Sequence, residues 1–148
     1  MNPSVSPIAA RRNSVAQSRF MRRRFPTCMK VLSTSVPIFT SDFEAAIERY
    51  EALTREAVRQ RFELPERGIR IALLGSVTII AGSERESGAL RIVRATFIVN
   101  SLAEYDAHLR STGATTLQGP SPTPAGTHLI VRDVEGVVFE FVELRSKE

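Results

Sequence analysis

Ser41-Asp42-Phe43-Glu44-Ala45-Ala46-Ile47-Glu48-Arg49-Tyr50 and Ser101-Leu102-Ala103-Glu104-Tyr105 are the stretches on which the fold is read. In each, a serine stands three residues before a glutamate. That spacing is the capping-box signature of a helix start, where the two side chains satisfy backbone amides that have no partner inside the helix. Phe43, Ala46, Ile47, Tyr50 and Leu53 then recur at helical spacing as one apolar stripe. Leu102, Tyr105 and Leu109 form the second stripe, and Gly113 is placed to end that helix. Aligning the stripes sets Phe43 against Leu102 at an offset of 59 residues, whereas the serine caps alone give 60. One residue of ambiguity separates the two alignments.

Outward from these helices the same pattern is written twice. Val36-Pro37-Ile38-Phe39 precedes the first helix as a strand, and Ala95-Thr96-Phe97-Ile98-Val99 precedes the second. Extended segments follow the first helix at Val58 to Leu64, Ile69 to Leu74 and Val77 to Ala81, with a tight connection at Gly75-Ser76. After the second helix they fall at Thr115 to Gln118, His128 to Arg132 and Val137 to Leu144, turning at Asp133-Val134-Glu135-Gly136. A polar linker, Gly82 to Gly88, joins the copies. Each half reads βαβββ, so the fold class is α+β with two modules in tandem, about 31–82 and 92–144, in one domain over 31–148. One helix over a four-stranded sheet leaves the other sheet face unburied, so the halves are expected to lean together.

On these residues the chain resembles the vicinal oxygen chelate superfamily, which includes glyoxalase I, bleomycin-resistance proteins and extradiol dioxygenases. The helix opening at Ser41 and the closing stretch from Pro124 to Glu143 carry the likeness, with Val134 where the family usually has proline. The resemblance implies a half-barrel whose cavity holds a divalent metal on four side chains, one each on the first and last strand of either module. Carried over position by position, those four sites read Ser35, Ile79, Arg94 and Glu140. Only Glu140 is a competent ligand, because a guanidinium has no lone pair and repels a cation. No metal and no cofactor are therefore expected.

Strand alternation places Arg94, Thr96 and Ile98 on one face, and Val138, Glu140 and Val142 on one face of the last strand. Arg94 and Glu140 are expected to meet in the cavity as a charge-assisted pair. That pair either replaces the metal as internal glue or offers Arg94 to an anionic ligand group. His128 reads either as an acid, base or hydrogen-bond partner at the cavity, or as a strand histidine with no role. Ser35, Pro37 and Phe39 share a face and either line the cavity or pack in the core. His108 is assigned to the surface. The candidate ligand-binding set is thus Ser35, Phe39, Ile79, Arg94, Thr96, His128 and Glu140, with no residue assigned to catalysis. Phosphate-cradling loops and nucleophile elbows have no counterpart in the sequence.

Charge and composition narrow the rest. The 148 residues carry a net charge of +4, but seven of the 20 bases lie in residues 1–30, which have no acid. The other 13 face all 16 acids, so residues 31–148 are mildly acidic at −3, and nucleic-acid binding by the folded part is not expected. Residues 1–30 are rich in Ser, Arg and Pro without periodicity and are read as a disordered basic leader. They also carry features of a transit peptide, of a twin-arginine signal at Arg22-Arg23-Arg24-Phe25 broken by Pro26, or of a basic arm for an anionic surface. Met21 or Met29 is an alternative start. No apolar run approaches a membrane span, and the one cysteine, Cys28, excludes an internal disulfide framework and suits a reducing, cytoplasmic setting.

Three function classes follow. By its resemblance to bleomycin-resistance proteins, the chain is expected to bind a small molecule in a metal-free cavity and to form a homodimer, which also covers open sheet edges. The alternative is an enzyme of lyase, isomerase or dioxygenase type, either metal-dependent through other ligands or metal-free with Glu140 as base. A structural or regulatory module with an empty cavity is the third class. The absence of Trp and the scarcity of aromatics leave the ligand class open.

Overall fold

The computed structural model describes residues 28–146. The expected leader lies outside the described residues as far as residue 27. The described chain runs β1 (Val31–Thr40), α1 (Phe43–Thr54), β2 (Gln60–Leu64), β3 (Ile69–Leu74), β4 (Val77–Ala81), α2 (Glu84–Ser87, a single turn), β5 (Ala95–Val99), α3 (Leu102–Ser111), β6 (Thr115–Thr123), β7 (Gly126–Arg132) and β8 (Val138–Leu144). Short 3-10 turns occupy Pro65–Arg67 and Gly88–Ile92.

All eight strands form one sheet in the order β2-β3-β4-β1-β5-β8-β7-β6. Within each module the first and last strands pair in parallel, β1 with β4 and β5 with β8. The modules join where β1 runs antiparallel to β5. The result is the expected α+β architecture, two βαβββ units curled into a half-barrel. Just before β1, the Lys30 amide donates to Asn100 Oδ1, and Asn100 Nδ2 donates to the Cys28 carbonyl.

The helix starts settle the repeat offset. Asp42, not Ser41, caps α1, its Oδ1 accepting the Ala45 amide at 3.2 Å. Thr40 Oγ1 accepts the Asp42 amide at 3.0 Å and closes a local turn that leaves Ser41 outside the helix. Ser101 caps α3 as expected, accepting the Glu104 amide. Cap to cap the offset is 59, the value given by the apolar stripes.

Both long helices back the sheet on its convex side. Phe43, Ala46 and Ile47 of α1 pack on Ala72, Ile79 and Ala81. Leu102 of α3 packs on Val99, Leu129, Val131 and Phe141, with the Phe97 ring 5.2 Å from Phe139 and 5.3 Å from Phe141. Such burial removes the apolar stripes from water and leaves the concave face free. β6 runs longer than the expected Thr115 to Gln118, and its extension carries Pro120 and Pro122, tolerated because β6 is an edge strand. No helix among the described residues is long and apolar enough to cross a membrane.

Candidate functional site

Strand alternation fixes what each face sees. On β4, Ile79 and Ala81 are buried under α1 while Thr78 and Ile80 face the concave side. On β5, Val99 backs α3 while Thr96 and Ile98 turn inward. The concave side encloses a cavity of about 480 Å³, in the range of small-molecule sites. Module one supplies an apolar wall of Phe62, Leu64, Ile71, Leu73 and Ile80, continued across the join by Ile98, Val142 and Leu144. Exposed Arg67 and Arg85 also line the cavity, as does Glu66, the residue before Arg67.

A chain of polar side chains crosses the cavity face. Thr96 Oγ1 donates to Glu140 Oε1 at 2.9 Å. Glu140 Oε2 lies 3.0 Å from His128 Nδ1. A carboxylate only accepts, so Nδ1 is the donor, and in the neutral imidazole Nε2 keeps its lone pair. Gln118 Nε2 stands 3.4 Å from that Nε2. In the other module, Ser35 Oγ and Thr78 Oγ1 bond each other at 2.6 Å. Ser35, Thr78, Thr96 and His128 are all buried.

The register shows which positions correspond. Pro37 pairs with Thr78 across β1 and β4 as Thr96 pairs with Glu140 across β5 and β8. Thr78, rather than Ile79, is therefore the counterpart of Glu140. Ile79 is fully buried against α1, which corrects its expected place at the cavity. The cause is a difference in turns. Two residues, Gly75 and Ser76, separate β3 from β4, but five, 133–137, separate β7 from β8. Matching Gly75 to Gly136 therefore slips the strand by one residue, and one residue exchanges the faces.

Arg94 also departs from expectation. It is exposed just before β5, where its amide donates to the Val138 carbonyl at 2.8 Å, and it is not among the cavity-lining residues. The Arg94–Glu140 pair is not formed, since Glu140 uses its oxygens on Thr96 and His128. An always-charged guanidinium stays in water unless a buried site gives it full pairing. Phe39 lies outside the lining and carries the Arg91 guanidinium 5.1 Å from its ring centroid. Ser35 reaches the cavity face through Thr78, whereas Thr96, His128 and Glu140 line it directly.

Thr78, Gln118, Arg67 and Arg85 line the cavity without having been singled out by the sequence. The parallel pairing of β1 with β4 would have exposed Thr78. Gln118 closes the expected strand, but register shifts on either side of it break the alternation that would have set its face, and the two arginines sit in a turn and in the segment read as a linker.

Comparison with solved structures bears on identity. An uncharacterized protein from Methanosarcina mazei matches with a TM-score of 0.73 and 36% sequence identity, over 80% of this chain and 97% of that one. The chain belongs to the family of that protein. Its architecture is the vicinal oxygen chelate fold, shared with methylmalonyl-CoA epimerase from Mycobacterium tuberculosis at TM-score 0.66 and 22% identity, over 84% of this chain and 95% of that one. A methylmalonyl-CoA epimerase from Streptomyces coelicolor, in complex with 2-nitronate-propionyl-CoA, matches at TM-score 0.62 and 18% identity, over 79% of this chain and 100% of that one. No protein-family model matches the chain, and no curated protein does.

The vicinal oxygen chelate fold implies a divalent metal, and the side chains can be tested for it. At the four strand positions the chain presents Ser35, Thr78, Arg94 and Glu140. Two are neutral hydroxyls and one is a cation. Glu140 is the sole anionic donor there, and both its oxygens are engaged. Among the described residues no three His, Cys, Asp or Glu side chains come together to hold a metal ion. The donor set does not fit a metal of the fold's usual kind.

Proposed function

We propose that the protein binds a small organic molecule in this cavity without a metal, the ligand entering with a polar, hydrogen-donating end towards Glu140 and His128 and leaving an anionic group at Arg67 and Arg85. The observation that carries this reading is the polarity of the cavity wall. One region offers acceptors, the Glu140 carboxylate and the His128 ring; a long apolar stretch follows; and two guanidiniums stand exposed on the lining. The anion-binding role that the sequence suggested for Arg94 passes to this pair, which lines the cavity where Arg94 does not. The Streptomyces coelicolor epimerase, which shares the fold, is in complex with 2-nitronate-propionyl-CoA, a compound that likewise carries anionic phosphates at a distance from its acyl end. A homodimer is part of this reading, supported by the unpaired outer edges of β2 and β6 and measured by analytical ultracentrifugation.

Thermal unfolding against a panel of organic anions tests the reading. A ligand present at 100 times its Kd stabilises by about 2.7 kcal/mol, or a rise of about 10 °C for a domain of this size. The double variant Arg67→Ala/Arg85→Ala is expected to remove most of that rise, and Arg94→Ala to leave it in place. Loss with Arg94→Ala and retention in the double variant would reverse the assignment.

A further inference from the structure

We propose that His128 is a Brønsted base, held in one tautomer by Glu140, and that the cavity transfers a proton from the buried end of its ligand without help from a metal. The inference rests on the binding reading above and adds a reaction to it. Glu140 Oε1 is held by Thr96 at 2.9 Å, so the carboxylate is fixed before it meets the ring. Its Oε2 then accepts a hydrogen bond from Nδ1–H at 3.0 Å, which leaves the lone pair on Nε2. Among the described residues Nε2 has only the long 3.4 Å approach from Gln118 Nε2, near the limit of a hydrogen bond, so a ligand can displace it. His128 is buried and lines the cavity, as does Gln118.

This arrangement has the logic of an oriented base: a carboxylate sets the tautomer, the far nitrogen does the work, and the carboxylate balances the charge that appears. In the step, a bond from hydrogen to carbon or oxygen of the ligand breaks. The proton goes to His128 Nε2, and the electron pair stays on the ligand. Glu140 faces the imidazolium so formed, and the Gln118 amide presents N–H donors to the anion. Return of the proton completes an exchange or isomerisation, and no oxidant, reductant or second substrate is needed. The substrate class is a weak acid whose labile hydrogen lies at the end enclosed by Ile98, Val142 and Ile80, away from its anionic group.

The chain has two histidines, so the ring can be examined directly. Nitrogen-15 spectra of the full chain at neutral pH are expected to show His128 as the Nδ1–H tautomer, with exposed His108 as internal reference. Glu140→Gln is expected to abolish that preference. The activity probe is 5-nitrobenzisoxazole, whose C–H proton passes to a base as its N–O bond breaks to give a nitrile and a phenolate. Saturable elimination is expected, falling about 10²-fold or more in His128→Gln and about tenfold in Glu140→Gln. Methyl shifts of Ile98 and Val142 report whether the probe enters the cavity. An Nε2–H tautomer overturns the proposal. Entry of the probe without His128-dependent elimination overturns it while sparing the binding reading, and failure to enter also overturns it, the binding reading then resting on the organic-anion panel.

Discussion

The bond between Ser35 and Thr78 gives the sharpest test of which side chains face the cavity. The two hydroxyls lie 2.6 Å apart at 7% and 9% exposure, so neither has ready access to water. Thr78→Val keeps the shape of the side chain and leaves the Ser35 hydroxyl buried without its partner, a cost of about 1–2 kcal/mol; Ser35→Ala does the reverse at about the same cost. Replacing both removes the pair together, so the double variant is expected to lose no more than either single one. The coupling energy is then about 1 kcal/mol. Ile79→Thr, one residue along, is the control. It places a hydroxyl among Phe43, Ala46 and Ile47 at a fully buried position and is expected to cost about 2–4 kcal/mol. Urea titration followed by far-UV circular dichroism measures all four variants, since the chain has no Trp to report by fluorescence. With a slope near 2 kcal/mol/M, a coupling of about 1 kcal/mol moves a midpoint by about 0.5 M. Strict additivity of Ser35→Ala and Thr78→Val, or an Ile79→Thr milder than Thr78→Val, would refute the assigned strand register.

Asp42→Ala is expected to destabilise by about 1 kcal/mol and Ser41→Ala by a few tenths at most, because only Asp42 bonds the first turn of α1; the same urea titration separates them. Dialysis against nickel, cobalt, manganese and zinc salts followed by elemental analysis is expected to leave well under one equivalent bound, and none of these ions is expected to raise the melting temperature. Burial raises the Tyr105 phenol above its ordinary 10.0. The folded state thus holds this proton more tightly than the unfolded one. Its contribution is intact below pH 10 and is lost as pH climbs through the raised folded value, so stability measured by urea should fall over that window, and Tyr105→Phe should flatten the fall.

The fold was legible because its signals are local and occur twice. A cap, an apolar stripe at helical spacing and a strand on either side define a module, and two modules in 148 residues leave few ways to bury both sheet faces. Thr96, His128 and Glu140 were legible as cavity residues because their strands were located and inward residues alternate. What failed was register across turns. Gly75 and Gly136 look equivalent in sequence, yet one belongs to a turn of two residues and the other to one of five, and that difference traded Thr78 for Ile79. Arg94 failed for another reason: its position was right by symmetry, but strand parity says nothing of how far a long charged side chain reaches for solvent. Arg67 and Arg85 carry no pattern a sequence reader can use, since a 3-10 turn and a one-turn helix bring them to the cavity only after the sheet has curled.

The two modules have diverged in polarity more than in shape, and this bears on what the cavity can do. Pro37 stands where the second module has Thr96, and Thr78 where it has Glu140. Across the first pair of strands, among the described residues, the side-chain bond is between two neutral hydroxyls, Ser35 and Thr78. Across the second, a carboxylate is held from both sides, by Thr96 and by a histidine from β7. A metal centre built on a pseudo-twofold needs donors from both halves, because no single half can surround an ion. A proton-transfer site needs one oriented base and one counter-charge, and a single half can supply both. With neutral hydroxyls at its two positions, module one supplies no charged donor, which favours the proposed proton transfer over the fold's usual metal centre. Module one instead supplies the apolar wall of Phe62, Leu64, Ile71 and Leu73, which shields the polar chain and makes each of its hydrogen bonds stronger than it would be in water.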